Sequence, residues 1–199
     1  RDEEFLGITI QNILDNIEGN TEVIAVLDGY ITKVPELPQD PRVTIVTLSR
    51  SIGQRAAANL ACTLSSAKYV MKCDAHLAFD KGFDVKMIAQ MQDNWTMIPV
   101  MRNLHAFDWV CRRCGYREYQ GPQHPCPTCG KKLKKEIVWK GLDNPQSTAY
   151  RFDKNLHFQY WKEFGDREQG DITETMSIQG SCFMMTRQKY IELDICDEQ

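Results

Sequence analysis

Asp74 and His76 stand two positions apart, directly after a short apolar run, Tyr69–Cys73. A carboxylate and an imidazole at this spacing, where a buried strand emerges, can bind one hard or borderline cation. Such a cation can neutralise a diphosphate, which is the chemistry that these two residues predict. The alternative interpretation is that Asp74 caps the following turn and that His76 is an ordinary surface histidine.

Short apolar runs alternate with helical patterns along the first hundred residues. Helical spacing of apolar residues predicts a helix over 5–18, and an alanine-rich segment predicts another over 53–67. Continuous apolar runs are typical of strands that are covered on both faces. They lie at 22–27, 43–48, 69–73 and 96–101. This alternation predicts an α/β fold with a mostly parallel sheet flanked by helices.

Asp28 ends the apolar run at 22–27, as Asp74 ends the run at 69–73. Ligands of parallel α/β sheets bind at the carboxyl ends of the strands. We therefore expect the two carboxylates to lie on the same edge of the sheet and to belong to one site.

Four cysteines form a second group with metal-binding chemistry. They occur as two CxxC pairs, Cys111 with Cys114 and Cys126 with Cys129. A glycine follows each pair and permits the positive φ that a tight turn needs. Four thiolates in tetrahedral geometry form a closed, structural Zn²⁺ site, which leaves no position for a substrate. Disulfides or a redox pair are the alternatives.

The cysteines lie in a segment, 106–140, whose composition differs from that of the rest of the chain. It contains eight Lys and Arg against three Asp and Glu, whereas the whole chain has a net charge of −3. Because the α/β pattern resumes beyond it, we interpret this segment as a zinc-ribbon insertion between residues 1–105 and 141–199 of one domain. Its basic residues either bind the phosphates of a nucleic acid or form a solvated surface that offsets the thiolate charge.

The overall composition is that of a globular protein, with 42% hydrophobic and 26% charged residues. No apolar run approaches the roughly 20 residues that span a bilayer. The other four cysteines are scattered singly, which favours a reducing, cytoplasmic setting over a disulfide-rich secreted protein. The chain opens directly into a helical pattern and ends abruptly, so we expect it to be incomplete at both termini.

The order of motifs from Thr21 to Glu198 resembles that of glycosyltransferases with the GT-A fold, in particular family 2 and the related polypeptide N-acetylgalactosaminyltransferases. VIAVLDGY resembles the second strand of the family. SIGQRAAANLACTLSSAKYVMKCDAH resembles the helix and strand that lead to its DXD motif, here in a DXH form. The opening RDEE resembles a conserved turn of the family, and IQGSCFMMTRQKYIEL resembles the segment that lines the acceptor site.

The resemblance implies transfer of a hexosyl or N-acetylhexosaminyl group from a nucleotide diphosphate, with UDP favoured, to an acceptor hydroxyl. Asp74 would contact the donor and, with His76, hold Mn²⁺ or Mg²⁺, and an imidazole beside a carboxylate leans toward Mn²⁺. The family pattern has adjacent Arg and Asn in the helix, whereas here they are four apart on one helix face. The further donor contacts implied by the resemblance are Arg1, Glu3, Asp28, Arg55 and Asn59.

The resemblance does not assign the general base. The usual catalytic acid of the family follows the segment at which this chain stops, so the base is expected beyond Gln199. Asp197 and Glu198 are weak candidates. The stereochemistry stays open as well, because the DXH form also occurs in retaining enzymes.

Two other classes of function fit the same residues. A sugar-nucleotidyltransferase has a related α/β nucleotide-binding fold. A non-enzymatic zinc-ribbon module would bind nucleic acid or protein through its basic segment. The acceptor of a transferase is not named by the sequence, and a nucleic acid is one of the candidates.

Overall fold

The chain divides into two compact units in the structure, which is a computed structural model. The first unit contains the described residues up to Pro99 and from Met176 onward, and the second spans Val100–Thr175. The structure describes residues 4–29, 37–147, 149–165 and 170–196. Within these ranges, no helix combines the length and the apolar character that crossing a membrane requires.

The first unit begins with helix α1 (Leu6–Asn16) and two parallel strands, β1 (Val23–Leu27) and β2 (Val43–Thr47). The strands pair without a register shift over their full length. Helix α1 buries one stripe, which includes Ile10 and Ile13, as the spacing of its apolar residues predicts. The first predicted helix and the first two predicted strands are thereby confirmed.

A second sheet of the same unit contains β3 (Tyr69–Cys73), β4 (Thr96–Met97) and β10 (Cys182–Thr186). Strand β10 lies between the other two and runs antiparallel to both. Among the described strands β1 and β2 form the one parallel pair, so the structure differs from the expected mostly parallel sheet. The reason is that a continuous apolar run predicts burial on both faces but does not predict the direction of the neighbouring strand.

Three further helices complete the first unit: α2 (Gln54–Leu64), α3 (Phe83–Gln90) and α5 (Arg187–Leu193). One core cluster joins α2, β10 and α5 through Cys62, Phe183, Met185 and Tyr190. Another joins α1 and α3 through Ile13, Ile17 and Phe83. Strand β10 is buried along its whole length and is therefore central to the core of this unit. The combination of helices and sheets confirms the α/β class.

The second unit is built on a long antiparallel pair, β5 (Met101–Val110) and β7 (Lys134–Ser147). The short strand β6 (Arg117–Tyr119) pairs with the last residues of β5. The β5–β7 ladder extends on both sides of the segment 106–140, and the cysteine pairs lie in the connection between its two strands.

A hairpin and a short helix follow in the second unit. They are β8 (Tyr150–Phe152), β9 (Phe158–Tyr160) and α4 (Lys162–Gly165). Tyr150 is buried, and the centre of its ring lies 5.4 Å from that of Phe158. This stacked aromatic pair connects the two strands of the hairpin.

Candidate active site and cysteine cluster

Asp74 lies directly after β3, where the chain leaves the sheet. Its backbone N–H donates to the carbonyl of Ser181 at 2.8 Å, which continues the β3–β10 ladder by one residue. Its side chain is 26% exposed and accepts a 2.7 Å hydrogen bond from the ammonium of Lys72. The backbone of Asp74 is therefore fixed, while its carboxylate can still be reached from solvent.

His76 is exposed in the bend that follows Asp74. Thr9 of α1, which is 2% exposed, holds this bend. The Thr9 hydroxyl donates to the carbonyl of Ala75 at 2.9 Å and accepts from the N–H of Leu77 at 3.3 Å. Because the backbone is held on both sides of His76, α1 fixes the position from which its side chain projects. A cation shared by Asp74 and His76 stays a prediction.

Lys72 is a residue near this site that sequence reasoning missed. It lies inside β3, and its side chain is 15% exposed. Besides the carboxylate of Asp74, its ammonium donates to the carbonyl of Gly180. One charged residue in an otherwise apolar run is the signal that could have found it, because a lysine side chain that is largely buried requires acceptors near its ammonium.

The carboxylate of Asp28 organises the loop that leads into α2. It accepts hydrogen bonds from the hydroxyl of Ser51 at 2.7 Å and from the N–H groups of Ile52 at 2.7 Å and Gly53 at 3.0 Å. The N–H of Ile52 and the hydroxyl of Ser51 lower the pKa of Asp28, so the group is ionised at neutral pH. These bonds join the end of β1 to the start of α2.

Arg55 and Asn59 of α2 differ in their surroundings. Arg55 is exposed in the first turn of the helix. The amide nitrogen of Asn59 donates to the carbonyl of Cys196 at 2.8 Å, and its amide oxygen accepts from the hydroxyl of Tyr190 at 3.0 Å. The structure thus places Asn59 in a bridge from α2 to the last described residues, and its contact with a nucleotide stays a prediction.

Four residues with predicted roles lie outside the described part of the chain. They are Arg1, Glu3, Asp197 and Glu198. Of the residues that are described, the structure joins Asp28 to the start of α2 and Asp74 to the turn at 180–182. The roles predicted for these six residues, in binding the donor or as the general base, stay predictions.

Half-buried Cys73 and buried Cys182 lie beside the end of β3. Cys73 and Cys182 stand directly opposite each other in the β3–β10 ladder. Burial raises the pKa of Cys73 to about 11, and it also raises the pKa of Cys182. Both residues are therefore neutral thiols that pack as small hydrophobic side chains.

The two CxxC pairs converge in the connection between β5 and β7. The sulfur of Cys111 lies 3.5 Å from that of Cys129, and the sulfur of Cys114 lies 3.5 Å from that of Cys126. All four sulfurs lie within 4.8 Å of one another, and in the described part of the chain no other group of three or more His, Cys, Asp or Glu residues has such an arrangement. These separations fit a tetrahedral ion with Zn–S bonds of about 2.3 Å. The cluster can therefore hold a structural metal such as zinc.

A backbone hydrogen bond and a glycine shape each of the two turns that carry the cysteine pairs. The N–H of Gly115 donates to the carbonyl of Cys111 at 2.9 Å, and Gly130 makes the same bond in the second turn at 2.8 Å. These glycines have φ values of 76° and 68°, which confirms the left-handed conformation predicted after each pair. The N–H groups of Cys114 and Arg113 lower the pKa of Cys111, which favours the thiolate that a metal binds.

The three acidic side chains of the segment 106–140 are engaged inside the second unit. Asp108 is 7% exposed and accepts a hydrogen bond from Arg117 at 2.6 Å. Glu136 pairs with the same arginine, and Glu118 lies 2.6 Å from the Nε2 atom of His124. The acidic side chains of the segment therefore pair with Arg117 and His124, which belong to the same unit.

Strands β1 to β3 and the bend after β3 lie in a segment of the chain that matches the model of a known protein family. The model described as glycosyl transferase family 2 matches residues 1–112, more than half of the 199 residues, and the match includes Asp28, Asp74 and His76. No curated protein matches the chain significantly. The predicted resemblance is confirmed at the level of this family. The chain belongs to glycosyl transferase family 2.

Proposed function

We propose that this glycosyltransferase is metal-dependent and moves a hexosyl or N-acetylhexosaminyl group from a UDP-sugar to an acceptor hydroxyl. Family membership supports the transferase, and the donor, the metal and the acceptor group are our proposal. The observation that carries it is the position of Asp74, a partly exposed carboxylate at the carboxyl end of β3 inside the matched segment. The residue types support the same assignment, because a carboxylate and an imidazole two positions apart are suitable ligands for one divalent cation.

Asp74 and His76 are the proposed ligands of the divalent cation. A carboxylate oxygen beside an imidazole nitrogen suits Mn²⁺, and a carboxylate with water ligands also suits Mg²⁺. Exposure supports the fit, because His76 is exposed and the carboxylate of Asp74 is accessible, so that water can complete the coordination. When bound, the cation would stabilise the charge that develops on the departing diphosphate as a Lewis acid.

Asp28 is the proposed contact to the nucleoside. A carboxylate has about four lone-pair sites, and three are used by Ser51, Ile52 and Gly53, so that about one remains for a base N–H or a ribose hydroxyl. The proposed donor-binding set is completed by Arg1, Glu3, Arg55 and Asn59. An exposed arginine such as Arg55 can form paired hydrogen bonds with phosphate oxygens.

The transfer also needs a base that accepts the proton of the acceptor hydroxyl. Asp197 and Glu198 are the candidates within this chain. They follow Cys196, whose carbonyl accepts the hydrogen bond from Asn59 of α2. Direct attack by a hydroxyl that such a base activates would invert the anomeric centre.

We further propose that residues 1–105 and 141–199 form one GT-A-like domain into which the ribbon 106–140 is inserted. The family match ends at residue 112, inside the first cysteine pair and thus near the start of the proposed ribbon, while the second compact unit of the structure is wider and spans Val100–Thr175. The parallel pair of β1 and β2 is the part of the structure that resembles the expected parallel sheet. We also propose a reducing, cytoplasmic location, because the four cysteines outside the cluster are scattered singly along the chain.

A panel of UDP-sugars, incubated with the zinc-loaded chain and Mn²⁺, tests the proposed transfer. Slow release of UDP from at least one sugar is expected, and Asp74→Ala should lower the rate by roughly 10²-fold. Asp80→Ala is the matched control, because it removes a carboxylate that is 77% exposed and should leave the rate unchanged. Release of UDP at the same rate by Asp74→Ala would contradict the proposal. Formation of a nucleoside triphosphate that depends on pyrophosphate would instead identify a sugar-nucleotidyltransferase.

The ribbon supports a second candidate function, which is binding of a nucleic acid as the acceptor or as the ligand of a non-enzymatic module. Its three acidic side chains are engaged internally, as described above. Four exposed basic residues adjoin the cysteine turns: Arg112, Arg113, Lys131 and Lys132. Because the sulfurs converge within 4.8 Å, these residues adjoin one cluster and can form one surface for phosphates.

Titration of the full chain with DNA and RNA oligonucleotides over a range of salt concentrations tests this second function. The double variant Arg112→Gln with Arg113→Gln should weaken binding and reduce the salt slope by about 2, because each phosphate contact contributes about 0.9. The pair Lys81→Gln with Lys86→Gln removes the same charge from the first unit and is the control. Absence of binding at low salt would exclude this function.

A further inference from the structure

We propose that Lys72 is a built-in counter-ion of Asp74 that competes with the divalent cation and thereby sets the cation affinity of the site. This inference rests on the proposed function, because it concerns the proposed metal ligand Asp74. It starts from the finding that the ammonium of Lys72 lies 2.7 Å from the Oδ1 atom of that carboxylate.

The strand geometry explains why Lys72 reaches this carboxylate. Residues two apart in a strand project on the same face, so Lys72 and Asp74 share a face while Cys73 projects on the other. In the ladder Lys72 stands opposite Phe183, which is 4% exposed. The methylene groups of Lys72 can therefore lie along an apolar face while the ammonium extends to the strand end.

Both acceptors of the ammonium lie just outside β3 and β10, at one end of the paired strands. Lys72 donates to the carboxylate of Asp74 and to the carbonyl of Gly180, which precedes the first residues of β10. The side chains of Lys72 and Asp74 are 15% and 26% exposed. The pair is thus partly shielded from solvent, and its charges interact more strongly than those of a fully exposed pair.

A divalent cation bound to Asp74 would lie close to this ammonium, whether it binds the Oδ1 atom that the ammonium contacts or the other carboxylate oxygen. A carboxylate oxygen that is bonded to an ammonium cannot bind a metal ion on the same lone pair without losing part of that bond. The two positive charges would also repel each other at the short distance that the common carboxylate imposes. A cation therefore either displaces Lys72 from Oδ1 or shares one carboxylate with a second positive charge, and in both cases Lys72 lowers the affinity of the site for the cation.

Titration of the zinc-loaded full chain with Mn²⁺ alone tests this inference, with the free ion measured by electron paramagnetic resonance. Lys72→Met should bind Mn²⁺ roughly tenfold more tightly than the unchanged chain, and Lys72→Arg, which keeps the positive charge, should bind within about twofold of it. Lys86→Met is the matched control, because it removes an ammonium 2.6 Å from the exposed carboxylate of Asp80 and should leave the affinity unchanged. Asp74→Asn should abolish the tight binding that Lys72→Met creates.

Two outcomes would overturn the inference. Equal Mn²⁺ affinity in the unchanged chain and in Lys72→Met would show that the ammonium does not compete. Tighter binding that persists after Asp74→Asn is added would show that the ion binds elsewhere.

If Lys72→Met does not fold, Lys72→Gln, which is neutral and retains a hydrogen-bond donor, is measured in its place. The UDP-sugar assay with Asp74→Ala is separate, so the proposed transfer can stand while this inference fails.

Discussion

The amide oxygen of Asn59 accepts a 3.0 Å hydrogen bond from the hydroxyl of Tyr190, 131 residues further along the chain. Tyr190 is 5% exposed, and burial raises the pKa of its hydroxyl, so the group stays protonated and donates at neutral pH. The nitrogen of the same amide donates to the carbonyl of Cys196. The side chain of Asn59 therefore connects α2 to α5 and also to Cys196, the residue that precedes the candidate bases.

Replacing Asn59 by alanine should lower the free energy of unfolding by about 1–3 kcal/mol, because the hydroxyl of buried Tyr190 and the carbonyl of Cys196 lose their partner. Tyr190→Phe removes only one of the two bonds and should cost about 1 kcal/mol. Urea titration of both variants at neutral pH measures the two costs. An unfolding midpoint that Asn59→Ala leaves unchanged would contradict the bridge.

The elements of the first unit were predictable because their signals are local. The apolar run at 69–73 coincides with β3, and the run at 43–48 differs from β2 by one residue. The pairing of β3 with β10 was not predictable, because the two strands are far apart in the chain and apolar patterns do not specify a partner. The sequence therefore predicts elements better than it predicts the sheets they form.

The candidate sites show the same contrast. The cysteine cluster was predictable because each CxxC pair is local and only eleven residues separate the two pairs. The hydrogen-bond partners of Asp28 were not, since Ser51, Ile52 and Gly53 become its partners only through the pairing of β1 with β2 and the conformation of the loop that follows β2. Residue type indicates chemistry, and the partners of a residue depend on the fold.

Gly29 lies against the loop that leads into α2. Its φ is +75°, and a Cβ atom at this position would lie 2.4 Å from the backbone nitrogen of Ser51. Gly29→Ala should therefore cost more than about 2 kcal/mol, because it adds overlap with the backbone to an unfavourable left-handed conformation. Chemical denaturation measures this cost.

Gly53→Ala is the matched control for Gly29→Ala. Gly53 also has a positive φ, +94°, but a Cβ atom there would meet nothing within 4 Å. With a ψ of 154°, Gly53 has a backbone conformation that essentially only glycine adopts, so its substitution should cost the conformational part alone, about 1–3 kcal/mol. Equal costs for the two variants would contradict the close approach of Gly29 and Ser51.

Asp84 is a buried carboxylate that connects α3 to the loop between α1 and β1. It is 2% exposed and accepts hydrogen bonds from the hydroxyl of Thr21 at 2.7 Å and from the N–H groups of Glu18 and Gly19. Burial alone would raise the pKa of Asp84, but the bonds from Thr21 and the two N–H groups outweigh it, and the pKa is lowered. The ionised form is therefore the one that stabilises the fold.

Asp84→Asn should lower the free energy of unfolding by about 1–3 kcal/mol at neutral pH, because these donors lose a charged acceptor. Since the folded pKa lies below the ordinary value of 3.8, the difference from the unchanged chain should be complete above that pH and should disappear as the pH falls through the folded pKa. Urea titrations from pH 7 down to about pH 2.5 measure it. A difference that stays constant down to the lowest pH would contradict this role, and Asp15→Asn on the exposed face of α1 should show none.

The cysteine cluster should bind one zinc ion per chain, measured by elemental analysis after purification. Trp109 and Leu133 pack against Cys111 and Cys126, so Cys111→Ala should lose the zinc and expose the indole of Trp109, with a red shift of its fluorescence. Cys196→Ala, a half-buried cysteine outside the cluster, should retain the full zinc content. Full zinc content in Cys111→Ala would contradict the four-cysteine site.

The central claim is that Asp74 and His76 hold a divalent cation that binds the diphosphate of the donor. A crystal of the zinc-loaded chain soaked with UDP and Mn²⁺ tests it most directly, with anomalous diffraction to identify manganese. We predict a manganese peak about 2.0–2.3 Å from a carboxylate oxygen of Asp74 and from a ring nitrogen of His76, next to the phosphates of UDP. Bound UDP with no manganese at these two residues, and with Lys72 still paired to Asp74, would contradict the claim.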